Sequence, residues 1–101
     1  SEFNGDVFLI KIAGDSMINA GINNGDVVLV KNHREFVSGD VVLVKIGDEK
    51  TVKKFISDDK PPYVYLKPEN PAYPIIPFTN EMELVGKIIS VFRGGQWKSI
   101  R

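Results

Sequence analysis

Gly25-Asp26-Val27-Val28-Leu29-Val30-Lys31 is echoed fourteen residues on by Gly39-Asp40-Val41-Val42-Leu43-Val44-Lys45. Each is a β-branched, aliphatic run opened by Gly-Asp, and a short run of that kind between turn formers reads as a buried strand. The shared wording reflects two similar strand beginnings rather than a true repeat. Outward from this pair the same period continues. Phe8, Ile10 and Ile12 alternate with Val7, Leu9 and Lys11, so Val7 to Ala13 reads as a strand with both faces largely apolar. Gly47-Asp48 supplies a two-residue hairpin turn between Val41–Ile46 and Glu49–Ile56, because glycine tolerates the positive φ such turns demand. Asp58 to Pro62 is a polar loop, Tyr63 to Leu66 a short strand, and Leu84 to Phe92 a long terminal strand followed by Gly94-Gly95 and a short Gln96-Trp97-Lys98 end. Four prolines between Lys67 and Pro77 exclude helix and central strand there and predict an ordered, extended loop. The expectation is an all-β domain of compact, strongly bent sheets with seven or more short strands. At most one helical turn fits, near Ser16–Ala20.

Composition narrows the function. At 101 residues the chain is one domain with room for a modest core. Thirteen basic residues balance thirteen acidic ones, and a zero net charge argues against direct nucleic-acid binding by this chain. The absence of cysteine excludes disulfides and a thiol nucleophile and fits a reducing compartment. His33, the only histidine, sits in a polar connection, which disfavours both a zinc site and a Ser-His-Asp triad. No cofactor or metal is implied. No apolar run is long enough for a membrane span. Ser1-Glu2-Phe3 reads as a cloning scar, leaving residues 1–5 outside the domain and 6–101 as the domain itself.

The apolar strand Val7–Ala13 ends in Gly14-Asp15-Ser16-Met17. A serine on a tight turn after a core strand is where a nucleophile can be held still and exposed. The plainer alternative is that Asp15 and Ser16 cap a short helix. A serine hydroxyl needs a base. With no convincing histidine, a lysine can serve if burial among apolar groups keeps it neutral. Alternation along Glu49–Ile56 puts Thr51, Lys53 and Phe55 on one face, and Lys50, Val52, Lys54 and Ile56 on the other. Lys53 has the better setting, between a hydroxyl and an aromatic, while Lys54 remains open by pattern alone. Both lysines could equally guard an edge strand against aggregation.

Four stretches, in order, resemble the LexA/UmuD family of self-cleaving bacterial proteins: Gly14-Asp15-Ser16-Met17 with Ala20-Gly21-Ile22 and Gly25-Asp26; Thr51-Val52-Lys53-Lys54-Phe55; Leu66-Lys67-Pro68-Glu69-Asn70-Pro71; and Gly86-Lys87-Ile88-Ile89-Ser90-Val91-Phe92-Arg93. The resemblance runs from about Asp6 to Trp97. It implies Ser16 as nucleophile and Lys53 as general base, with Thr51 orienting the amine. It further implies that the Ser16 N–H and a neighbour, in the turn that includes Asp15, act as oxyanion donors, and that Met17 packs the turn. The Pro-Glu-Asn-Pro stretch and the Gly-Gly-Gln-Trp ending resemble LexA more than UmuD.

What the resemblance implies is the C-terminal catalytic and dimerisation domain of a LexA-like repressor, cytoplasmic and bacterial or phage-encoded. Such a domain would cut an Ala-Gly or Cys-Gly bond in its own upstream segment when a DNA-damage recombinase filament promotes it. Only fifteen residues precede Ser16 and none forms such a pair in reach, so the expectation is a domain without its own cleavage site or winged-helix half. Three alternatives accompany it: a UmuD-like translesion polymerase subunit, a phage-type repressor domain, or a purely dimerising module. The expected partners are a second copy through Leu84–Phe92 and a peptide substrate, with no membrane.

Overall fold

The computed structural model describes residues 6–100. Eight strands and one 3-10 turn follow the chain: β1 (Val7–Lys11), the turn (Ile18–Ala20), β2 (Val27–Asn32), β3 (Val41–Ile46), β4 (Glu49–Ser57), β5 (Val64–Lys67), β6 (Ile76–Pro77), β7 (Met82–Arg93) and β8 (Gln96–Ser99). They form a single antiparallel sheet in the order β1-β2-β7-β3-β4-β5-β6, with β8 also paired to β7. The all-β expectation holds, and the short helical turn falls where the sequence placed it.

The doubly apolar wording of Val41 to Val44 has a direct cause. Val41 and Leu43 join Met17, Ile22, Val28, Val30, Val52, Ile88 and Val91 in one core cluster. Val42 and Val44 join Leu66 in a second, against which Phe36, Phe55, Ile76 and Leu84 pack. A strand covered on both faces must be apolar at every position, because side chains alternate between the faces. Fully burying each such side chain contributes about 2 kcal/mol.

β7 links the two halves. It pairs with β2 over Gly86–Phe92, with β3 over Met82–Lys87 and with β8 over Ser90–Arg93. Two register shifts bend it: Ile89 is extra opposite the Leu29/Val30 step, and Val85 is extra opposite Leu43/Val44. Each bulge increases the local twist and lets one strand serve both cores. Between them Gly86 runs so close to β2 that a Cβ there would lie 2.5 Å from the Lys31 carbonyl oxygen. Only glycine fits that approach.

Several boundaries differ from expectation. β1 ends at Lys11, yet Ile12 continues the pattern by donating to the Asp26 carbonyl (2.7 Å) and accepting from the Gly25 N–H (2.8 Å). The proline-rich stretch contains β6, a two-residue strand at the end of the sheet, where Pro77 withholds no hydrogen bond from a neighbour. The strand expected at Leu84–Phe92 is neither terminal nor an open edge. It is the central strand β7, and the chain returns along it as β8 after the Gly94-Gly95 turn. The expectation for residues 1–5 lies outside the described residues.

Candidate active site

β1 delivers the chain to Gly14, whose positive φ of +95° allows the sharp departure from the sheet. The Asn24 side chain accepts the Gly14 N–H at 2.8 Å, so the turn is pinned where it begins. The 3-10 turn then starts after Met17 with no side-chain cap. Asp15 and Ser16 therefore do not cap it, and their side chains point to other partners. Met17 is 2% exposed, its side chain in the first core cluster, which anchors the turn from below.

Lys53 on β4 reaches the same place from across the sheet. Its Nζ donates to Ser16 Oγ at 3.1 Å, to Thr51 Oγ1 at 2.6 Å and to the Val52 carbonyl oxygen at 3.1 Å. Lys53 is 7% exposed, and burial lowers its amine below the ordinary lysine range. Among the described residues no carboxylate pairs with it, so no opposite charge offsets the lost hydration of an ammonium. The pattern left Lys54 open, and the structure separates the two lysines: Lys54 Nζ lies 2.7 Å from Glu69 Oε1 in a half-exposed ion pair.

The loop that follows β5 closes over the serine turn. Asn70 Nδ2 donates to the Asp15 carbonyl oxygen at 2.9 Å, and the Asn19 N–H donates to the Glu69 carbonyl at 2.8 Å. The Tyr73 hydroxyl donates to the Asp15 carboxylate, which raises the pKa of the phenol. On the far side of the turn Arg93 of β7 binds the Asp26 carboxylate and the Gly21 carbonyl, and its hydrogen bond holds the Asp26 carboxyl below the usual range.

A cleft of about 110 Å³ opens beside Ser16, lined by Ile10, Ile12, Ala13, Thr51 and Val52 among others. A larger groove of about 950 Å³ lies elsewhere, between Asn32–Phe36 and Phe78–Val85. It contains neither Ser16 nor Lys53, so size does not mark the site here. His33 lines that groove and is no part of the serine's surroundings. Among the described residues no cluster of three or more metal-ligating side chains occurs, and no helix is long and apolar enough to cross a membrane.

Chemically, a hydroxyl beside a desolvated amine is an arrangement for nucleophilic attack, with the amine as proton acceptor. The structure brings together Ser16, Thr51 and Lys53, with Asp15 and Met17 in the same turn. Sequence reasoning gave no role to Asn70, Tyr73, Glu69 or Arg93. The available signal was an asparagine set between two prolines, Pro68 and Pro71, in a loop too rigid to be mere connection.

Comparison with known proteins gives the family. The chain is 46% identical over 89 residues to LexA repressor 1 of Nocardia farcinica, a match covering 88% of this chain and 40% of that protein. It is 40% identical over 90 residues to the LexA repressor of Ruminiclostridium cellulolyticum, covering 89% of this chain and 41% of the relative. With the LexA repressor of Clostridium tetani the identity is 39% over 88 residues, covering 86% and 42%. The chain thus spans about two fifths of the length of these relatives. A family model described as Peptidase S24-like matches residues 2–89, nearly the whole chain, and to that family of serine peptidases the chain belongs.

Proposed function

We propose that this chain is the self-cleaving domain of a LexA-like repressor, acting through Ser16 and neutral Lys53. The observation that carries the reading is the 3.1 Å contact between Lys53 Nζ and Ser16 Oγ, with the amine buried and lowered toward neutrality. In this mechanism Ser16 Oγ attacks the carbonyl carbon of a peptide bond while Lys53 accepts the hydroxyl proton. The carbonyl oxygen takes on negative charge and is met by the Ser16 N–H and a neighbouring amide. Collapse expels the amine, which takes the proton back from Lys53 and leaves an acyl-enzyme ester. Water, deprotonated by Lys53, then releases Ser16. Thr51 holds the amine in line.

The small cleft beside Ser16 favours a small residue at the bond that is cut, in keeping with an Ala-Gly bond. In the whole protein that bond would lie upstream of this domain. Its cleavage, promoted by a DNA-damage recombinase filament, would separate the domain from a DNA-binding half and inactivate repression.

A second reading, self-association, is favoured by one observation. Phe92 near the end of β7 and Trp97 on β8 stand 40% and 47% exposed, with ring centroids 5.1 Å apart. In that reading a homodimer meets through the Phe92 end of Leu84–Phe92 by side chains, since the backbone there is already paired.

A peptide spanning an Ala-Gly site, incubated with the chain, tests the peptidase. Cleavage that rises with pH and disappears in Ser16→Ala and Lys53→Ala is expected. Absence of cleavage at high pH and high protein concentration would leave only the dimer module, which sedimentation reads independently.

A further inference from the structure

The peptide unit that joins Asp15 to Ser16 is anchored by a buried polar side chain that the mechanism above does not use. Asn70 is 9% exposed. Its Nδ2 donates to the Asp15 carbonyl oxygen at 2.9 Å, and its Oδ1 accepts the Ala72 N–H at 3.0 Å. Both ends of the amide are thereby engaged by main chain, and its orientation is set. The following turn is closed by the Tyr73 N–H donating to the Asn70 carbonyl at 3.1 Å. The loop thus presents Asn70 as a fixed donor rather than a wandering one.

A trans peptide points its C=O and N–H in opposite directions. Anchoring the Asp15 carbonyl on Asn70 therefore aims the Ser16 N–H away from the loop. Among the described residues the carbonyl has one other partner, a long bond from the Ile18 N–H at 3.4 Å, too weak to define the plane alone. Among the described residues the Ser16 N–H and the Met17 N–H donate to no protein acceptor. An unpaired donor beside the Ser16 hydroxyl is what a developing oxyanion requires, and its worth depends on direction as well as presence.

We propose that Asn70 is a positioning residue for the oxyanion site: by holding the Asp15 carbonyl it fixes the direction in which the Ser16 N–H meets the charge formed on the substrate carbonyl oxygen. The proposal rests on the peptidase reading above. Asn70 touches neither the substrate bond nor Lys53, so its effect runs entirely through the Asp15–Ser16 peptide plane. Asn70→Asp keeps the shape but replaces the donor with an acceptor facing a carbonyl. Asn70→Ala removes the anchor altogether. Tyr73→Phe removes the same loop's other tie to Asp15, at the carboxylate, and leaves the peptide plane held.

The test measures kcat and KM on an Ala-Gly peptide, and the affinity of a peptide boronate ending in alanine, for wild type and the three variants. Rates are corrected for the folded fraction read by circular dichroism. Deleting an oxyanion donor costs roughly 100- to 1,000-fold in kcat; misaiming one is expected to cost about 10- to 100-fold in Asn70→Asp and Asn70→Ala. KM and the pH midpoint of the rate should stay put, because neither substrate contacts nor Lys53 change. Affinity for the boronate, which becomes tetrahedral on Ser16 Oγ, should fall in step with kcat. Tyr73→Phe should stay within about threefold of wild type in kcat, since the aim of the Ser16 N–H is retained. Asn70 variants that cleave at full speed, or that lose kcat while keeping boronate affinity, overturn the proposal while the peptidase stands. A wild-type chain that neither cleaves nor binds the boronate overturns the peptidase reading, and this proposal with it.

Discussion

Lys53 Nζ sits 2.6 Å from Thr51 Oγ1 and 3.1 Å from Ser16 Oγ, bridging two hydroxyls that lie 35 residues apart in the chain. Three acceptors converge on this amine and, among the described residues, no carboxylate does. Burial therefore acts on it without an opposing charge, which is the condition for a lysine that loses its proton early.

The first consequence is a pH profile. Because burial lowers Lys53, cleavage should rise with pH along a single limb whose midpoint falls below the ordinary lysine range. Initial rates on an Ala-Gly peptide between pH 6 and pH 11, roughly the span that brackets a lowered and an ordinary lysine, locate it. A midpoint at the ordinary lysine position would contradict the desolvated amine.

Thr51 should matter through Lys53 and not through the substrate. Thr51→Val removes the 2.6 Å acceptor while keeping the β-branched shape that suits β4. A loss of about tenfold in kcat is expected, the scale of misorienting a general base. Thr51→Ser, which restores the oxygen, should recover most of it. A loss in Thr51→Ser with none in Thr51→Val would show that the methyl group, not the hydroxyl, is what counts.

The same amine is a stability liability. A lysine lowered in the folded state binds fewer protons than in the unfolded chain between the two pKa values, so stability rises with pH across that interval. Below the folded value the whole cost of burying an ammonium is present. Lys53→Met, similar in shape and uncharged, should melt at a higher temperature than wild type near neutral pH. The gap should narrow as pH climbs toward the ordinary lysine range. Scanning calorimetry of both chains over that range reads the difference; a gap that is constant with pH would sink the idea.

Gly86 is the tightest point of the sheet. A Cβ would sit 2.5 Å from the Lys31 carbonyl oxygen, which is backbone and cannot swing aside. Gly86→Ala should destabilise by about 3 kcal/mol, at the upper end of overpacking costs. Urea denaturation would register this as a lower midpoint with little change in slope. A loss below about 0.5 kcal/mol, the scale of an ordinary surface change, would mean that β2 and β7 part more easily than their register suggests.

The pattern of residues was sufficient for the fold class and for the local identity of most elements. Alternation and β-branched runs mark strands because a pleated, two-sided surface demands them, but the shared Val-Val-Leu-Val wording did not tell Val41–Val44, buried at every position, from Val27–Val30, fully buried only at Val28 and Val30. The Gly47-Asp48 hairpin was legible because its register follows from adjacency. Strand order was not, since it depends on pairings between distant segments. Leu84–Phe92 reads as a terminal strand open to a second copy, yet two bulges and the close approach at Gly86 turn it into the bridge of the sheet. For the site, sequence singled out Ser16 and put Lys53 ahead of Lys54. Only the tertiary structure separated the two lysines, because a one-residue step along β4 moves an amine from a buried face with a serine opposite to a half-exposed one beside Glu69. The roles of Asn70, in a stretch that carried the resemblance, and of Tyr73 were hidden for the same reason. Their partner is Asp15, more than fifty residues upstream, and a hydrogen bond across that distance exists only once the sheet has brought the two loops together.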